Sequence, residues 1–144
     1  AIRRLNLFVG PATRMTMNRN KLSAVAKAGL LAPYKGYANR VAIDAFVKDI
    51  PFSKSHHVYH ELAQIEKNLT HLANKPIQLI WGMQDWCFSP KCLSKFQELF
   101  PAANVLRIAD AGHYVLEDAK EDVLAAVSTF LDTTAGSVST ASGE

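Results

Sequence analysis

The first half of the chain has the apolar spacing of helices. Ile2, Leu5, Phe8/Val9 and Ala12 recur every three or four residues, and Pro11 is expected to kink or end that segment. Leu22, Val25, Ala26 and Ala28/Gly29 predict a second short helix that Pro33 stops. "YANRVAIDAFVKDIP" places Val41, Ala42, Ala45, Phe46 and Val47 on one side, with Asp44 and Lys48 as an exposed i,i+4 pair. A further helix is expected from about Tyr59 to Leu72, striped by Leu62, Ile65, Leu69 and Leu72.

The pattern changes after Lys75-Pro76. "IQLIW" is a compact β-rich run closed by Gly82, as in a buried strand followed by a loop. Ser89-Pro90 offers an N-cap and an N1 proline for a helix from Pro90 to Phe100. "NVLRI" repeats the strand pattern before the loop "ADAGH". A last helix is expected over Asp118–Leu131, with Val123, Leu124, Val127, Phe130 and Leu131 apolar and Asp118, Glu121 and Asp122 in its first turn. Strand, loop, helix, strand, loop, helix implies a parallel βαβ unit, whose chemistry gathers on loops beyond the carboxyl ends of the strands. Asp85 is on the first such loop and His113 on the second. A carboxylate bound to one imidazole nitrogen would fix the tautomer and leave the other as a base. On spacing alone, His113 capping a turn and Asp85 capping the next helix fit as well.

Composition narrows the classes. The 144 residues are 49% hydrophobic and 20% charged, an ordinary globular balance. The net charge of +3 is uneven: the first 40 residues hold eight Lys or Arg and no acid, and the remainder holds all 13 acids. That basic third could meet an acidic surface or be offset by the rest of an assembly. Cys87 and Cys92 suggest neither a disulfide framework nor a metal set and are expected to be reduced in a cytoplasmic chain. No run approaches the roughly 18 apolar residues of a membrane span. The sequon Asn68-Leu69-Thr70 carries no weight without a secretory signal.

Two stretches carry a resemblance. "PIQLIWGMQDWCFSP" and "FPAANVLRIADAGHYVLED" resemble the end of the α/β-hydrolase family, in which one strand runs into Trp-Gly-x-x-Asp and a later one into Ala-Gly-His. Trp81-Gly82-Met83-Gln84-Asp85 and Ala111-Gly112-His113 match, so the resemblance implies Asp85 as the triad acid and His113 as its base. Residues 1–74 resemble the helical cap of such enzymes. The stretches "LNLFVGPATRMTM" and "KAGLLAPYKGYANRVAIDAFVKDIP" are similar to haloalkane-dehalogenase-like hydrolases and, within them, to the β-lactone decarboxylases of olefin biosynthesis. The expected architecture is α/β: a partial α/β-hydrolase fold with a helical cap (1–74), the C-terminal β-α-β-α of a parallel sheet (75–133) and a disordered tail (134–144).

No pair of the seven glycines has the Gly-x-Ser-x-Gly or Gly-x-Asp-x-Gly spacing of the family's nucleophile turn. The Asp or Ser nucleophile is therefore expected on an N-terminal half outside these residues, supplied as a separate chain or lost by cleavage. The substrate implied is apolar: a β-lactone, haloalkane, epoxide or ester. Trp86, Phe88 and Tyr114 could line its pocket or simply pack, and cap residues Tyr34 and Tyr37 could donate protons or pack. The cap's lack of Trp weakens dehalogenation. Met15, Met17 and Phe8 could line an acyl site or pack. "SHHVYHE" puts His56 and His60 on one helical face. Gln64 replaces the second histidine of His-Glu-x-x-His, so no metal and no cofactor are expected. The rival reading is a non-catalytic cap or binding module docking on a partner enzyme or membrane surface. No nucleic-acid partner is expected.

Overall fold

Asn6, at a left-handed φ of 51°, breaks the first apolar segment into α1 (Ile2–Leu5) and α2 (Val9–Met15). Asparagine tolerates that conformation better than other non-glycine residues. The expected break at Pro11 is displaced, because Pro11 lies in the first turn of α2, where its missing N–H has no intrahelical partner to lose. The computed structural model describes residues 2–6 and 8–141, without the side chains of Ile2, Leu5 and residues 136–141.

Ser23 caps α3 (Ala24–Leu31), its hydroxyl accepting from the Ala26 N–H at 3.0 Å. Pro33 then tightens the chain into a 3₁₀ turn, Ala32–Tyr34. α4 (Val41–Lys48) carries the expected Lys48–Asp44 ion pair at 2.7 Å. Its apolar face differs from expectation: Ile43 is the buried residue, while Val41 and Phe46 are exposed. Phe46 instead meets Phe8 edge-on, ring centres 6.5 Å apart. α5 (Tyr59–Asn68) ends in a 3₁₀ turn, Leu69–Leu72, and its stripe residues Leu62, Ile65 and Leu72 are exposed.

β1 (Gln78–Gly82) and β2 (Asn104–Ile108) pair in parallel, from Gln78 opposite Asn104 to Gly82 opposite Ile108. Between them runs α6 (Pro90–Leu99), which buries Leu93. Ser89 occupies the expected N-cap position without a side-chain cap bond; its carbonyl accepts from the Cys92 N–H at 2.8 Å. The last predicted helix corresponds to α8 (Lys120–Ala141), which starts two residues later than expected; Asp118 instead ends an additional short helix, α7 (Val115–Asp118), parted from α8 at Ala119, where φ is −138°. Ile108, Ala111, Ala119 and Val123 form a buried core, with Ile80, Leu106 and Val115 packed on it.

α8 continues into the stretch expected to be a disordered tail. Thr133 and Thr134 return their hydroxyls to the carbonyls of Thr129, Phe130 and Leu131, so these polar side chains find partners within the helix. Residues 142–144 of that stretch lie outside the described residues. Contacts divide the chain into two units, Ala1–Met15 with Leu22–His71, and Thr16–Lys21 with Leu72–Glu144. Residues 16–21 thus leave the predicted 1–74 segment for the unit that contains the sheet. Among the described residues no helix is long and apolar enough to cross a membrane.

Candidate active site

The loops after β1 and β2 are stitched together by the backbone. Met83 N–H donates to the Ile108 carbonyl and Gln84 N–H to that of Ala111, each at 2.9 Å. The Gln84 side-chain amide adds a bond to the Ala109 carbonyl, also 2.9 Å. Gly82 permits this approach: a Cβ there would run into the Gly112 carbonyl oxygen and stand 2.6 Å from that of Ala111. Gly112 is equally constrained, since its Cβ would lie 2.6 Å from the Thr16 carbonyl oxygen. Both glycines of the two motifs are therefore required by close backbone packing.

Asp85 and His113 meet across this junction. Asp85, 8% exposed, accepts the Cys87 and Phe88 N–H groups on Oδ1, each at 2.8 Å, and His113 Nδ1 on Oδ2 at 2.9 Å. A carboxylate only accepts, so Nδ1 carries the hydrogen and the neutral ring presents Nε2 as its lone-pair atom. The His113 side chain is 24% exposed. This arrangement can orient a general base. Asp85 does not cap the following helix, whose N-cap is Ser89; its Oδ1 holds the turn at 87–88 while Oδ2 holds the imidazole.

The aromatic residues expected at a pocket surround His113 in part. Phe88, Tyr114 and Trp86 have ring centres 5.4, 5.9 and 6.5 Å from the imidazole. Trp86 and Phe88 are more than half exposed, and the Phe88 carbonyl is anchored by the Trp81 indole N–H at 2.8 Å. Tyr34 and Tyr37 belong to the other unit. The Tyr34 carbonyl accepts from Arg40 Nε at 2.8 Å, and the Tyr37 ring lies 4.1 Å beneath the Arg3 guanidinium. Arg3, Arg19 and Arg40 all bond within their own units, so part of the basic first third is spent internally. Met15 lines an open cavity in the first unit with Arg14, Lys27 and Leu31.

The pattern reading missed the organising role of Asp118. Expected only as a helix-dipole acid, it is fully buried and accepts four backbone N–H groups. Asn18 (2.8 Å), Arg19 (3.2 Å) and Gly112 (2.6 Å) donate to Oδ2, and Asn20 (2.6 Å) donates to Oδ1. Burial pushes its carboxyl pKa up, but the N–H groups of Gly112, Asn20, Asn18 and Arg19 together hold it below the ordinary value. Asp118 thereby ties the residue before His113 to the bend at residues 18–20. Periodicity could not reveal it, since three of its four donors lie about 100 residues away. Nearby, Arg19 bridges Asp110 at 2.7 Å and also Asp122; its hydrogen bond keeps the Asp110 carboxyl low.

Cys87 and Cys92 are both free thiols, and burial, followed by the Asp85 charge, pushes the Cys87 thiol up. The histidine-rich stretch departs from its expected geometry. His60 lies on α5, whereas His56 sits before that helix in a turn, its N–H bonded to the Ser53 carbonyl at 3.1 Å. A different set comes together there: Asp49, His56 and His57 each bring a potential ligand atom within 4.8 Å of the others.

Residues 3–120 match the model of the alpha/beta hydrolase fold family. A cis-3-alkyl-4-alkyloxetan-2-one decarboxylase of Shewanella oneidensis is 33% identical over 92% of the chain, which covers 42% of that relative. One from Xanthomonas campestris is 34% identical over 91% of the chain and 43% of the relative. The similarity to haloalkane dehalogenase 2 of Mycobacterium tuberculosis, 37% identity, extends over 39% of the chain and 20% of the relative. Among solved structures, haloalkane dehalogenase DbeA from Bradyrhizobium elkani superposes with a TM-score of 0.83 at 20% identity, over 94% of this chain and 46% of that one. The chain thus spans less than half the length of these relatives. With the family model matching residues 3–120, most of its length, the chain belongs to the alpha/beta hydrolase family.

Proposed function

We propose that this chain supplies the acid–base half of a hydrolase-fold active site, with Asp85 as the orienting acid and His113 as the base. The observation that carries the reading is the 2.9 Å bond from His113 Nδ1 to Asp85 Oδ2, made on loops after adjacent parallel strands. The nucleophile, an Asp or Ser, belongs to the complementary part of the fold. His113 Nε2 then takes the hydroxyl proton of a serine nucleophile or, with an aspartate that is already ionised, activates water or assists release of the intermediate, and Asp85 stabilises the imidazolium that forms. Two features support a complementary partner. Each strand keeps one edge unpaired among the described residues, and Leu116, Leu124 and Leu131 are exposed. In this reading the first unit serves as the cap.

The substrate class we favour is an alkyl-substituted β-lactone. Its support is the similarity to the two oxetan-2-one decarboxylases, which runs along more than nine-tenths of the chain, whereas the dehalogenase similarity covers 39%. The aromatic rings around His113 suit an apolar substrate. The test joins this chain to the complementary half and supplies a cis-3,4-dialkyloxetan-2-one, with carbon dioxide and alkene as the products measured. A haloalkane, with halide release, is the comparison. His113→Ala is expected to lower turnover by about 10³-fold or more. Full turnover in that variant would remove His113 from the mechanism, and halide release without lactone turnover would reassign the substrate.

A further inference from the structure

We propose that Asp49, His56 and His57 form a binding site for a divalent first-row transition-metal ion such as zinc, separate from the Asp85–His113 pair. The three residues lie within a single unit and surround the turn that leaves α4. Asp49 is the C-cap of α4, its N–H held by the Ala45 and Phe46 carbonyls at 2.9 and 3.1 Å. His57 Nε2 is already 2.9 Å from Asp49 Oδ1. His56 Nε2 lies 3.1 Å from the Lys48 carbonyl and its Nδ1 accepts from the Val58 N–H at 3.5 Å, so the second ring is held from both sides. The two imidazoles stack with centres 4.5 Å apart and planes 30° apart.

Two properties of the cluster favour a cation. Two imidazolium rings stacked so closely would repel, whereas a metal ion satisfies the lone pairs of two neutral rings and the carboxylate together. The carboxyl end of α4 also points its partial negative charge at this position. The nearest ammonium in sequence, that of Lys48, is committed to Asp44 one turn back. In a tetrahedral site with bonds of about 2.0–2.1 Å, ligand atoms stand about 3.3 Å apart. Rotation of the exposed Asp49 and His57 side chains about the half-buried His56 would close the present spacing of up to 4.8 Å to that value. Two imidazoles and a carboxylate suit zinc, nickel or copper rather than magnesium or calcium. Three protein ligands leave a fourth position open to water or a small anion.

The test titrates zinc chloride into the chain by calorimetry, with circular dichroism confirming that each variant keeps its helices. One saturable zinc per chain is expected. His56→Ala, His57→Ala and Asp49→Ala should each weaken binding about tenfold or more. Asp49→Asn, which retains the cap backbone, should also weaken it. His60→Ala and His71→Ala should leave it unchanged, because His60 instead packs edge-on against Tyr59, centres 5.9 Å apart. Absence of saturable binding overturns the proposal. So does a pattern in which His60→Ala abolishes binding and both Asp49 variants are neutral, which would place the ion on the His56–His60 pair.

Discussion

Replacing Asp118 should destabilise the unit that holds the sheet far more than a surface acid would. The carboxylate is fully buried and is the common acceptor for the N–H groups of Asn18, Arg19, Asn20 and Gly112. Asp118→Ala leaves those donors without their partner. An unsatisfied buried donor costs about 1–3 kcal/mol, and water entering the vacated space recovers part of it. The donors are neutral main-chain groups, so no charge is orphaned, and a total of about 2–4 kcal/mol is expected from their lost charge-assisted bonds. Asp118→Asn keeps the shape but turns an amide NH₂ towards at least one N–H, so about 2 kcal/mol is expected. Trp81 and Trp86, the two tryptophans of the chain, both lie in this unit, so their fluorescence in urea reads its unfolding directly. The pH dependence has a definite sign. The folded carboxyl lies below its ordinary value, so its stabilisation is complete above the ordinary carboxylate range near pH 4 and is lost as pH falls through the folded value. The gap between the parent chain and Asp118→Asn should therefore narrow on acidification. An Asp118→Ala loss below about 1 kcal/mol, or an Asp118→Asn gap that is the same at pH 7 and in acid, would refute the reasoning.

Other predictions follow from the same loops. In Asp85→Asn the N–H groups of Cys87 and Phe88 claim the amide oxygen, which turns the NH₂ towards His113 Nδ1 and forces the hydrogen onto Nε2. Imidazole ¹⁵N shifts should report that exchange of tautomer, and turnover of the joined enzyme should drop about 10⁴-fold; an unchanged tautomer would contradict the assignment. Gly82→Ala should lower the melting temperature and disturb the Asp85–His113 bond, because backbone carbonyls occupy the Cβ position; about 1–3 kcal/mol is expected from such overpacking. Cys87 should alkylate with iodoacetamide more slowly than a free cysteine at pH 8, since burial and then the Asp85 charge raise its thiol, and Asp85→Asn should speed the reaction.

What could be read from the sequence divides by the range of the interaction responsible. The strands, the helix between them and α3 were legible because their signals are local: β-rich runs, Ser-Pro, and the apolar spacing of 22–29 before Pro33. The pairing of Asp85 with His113 was legible one step further on, since parallel strands place successive loops side by side. The apolar face of α4 was misread because its pattern offers two faces and only tertiary packing selects Ile43.

Asp118 shows why the remainder was hidden, and it also changes how the motif is understood. A carboxylate five residues after His113 looks like any helix-dipole acid, and nothing near it in sequence requires burial. Its partners come from residues 18–20, which contacts assign to the unit that holds the sheet although helices of the other unit flank them. The Ala-Gly-His turn is held from two directions: Gly82 lets β1 pass beneath it, and Asp118 grips the Gly112 N–H at its side. His113 is therefore positioned by Asp85 through its ring and by Asp118 through its backbone. A carboxylate that binds only main-chain donors can be replaced by no neutral side chain without orphaning one of them. The position of His113 thus rests in part on a residue that does not touch its imidazole.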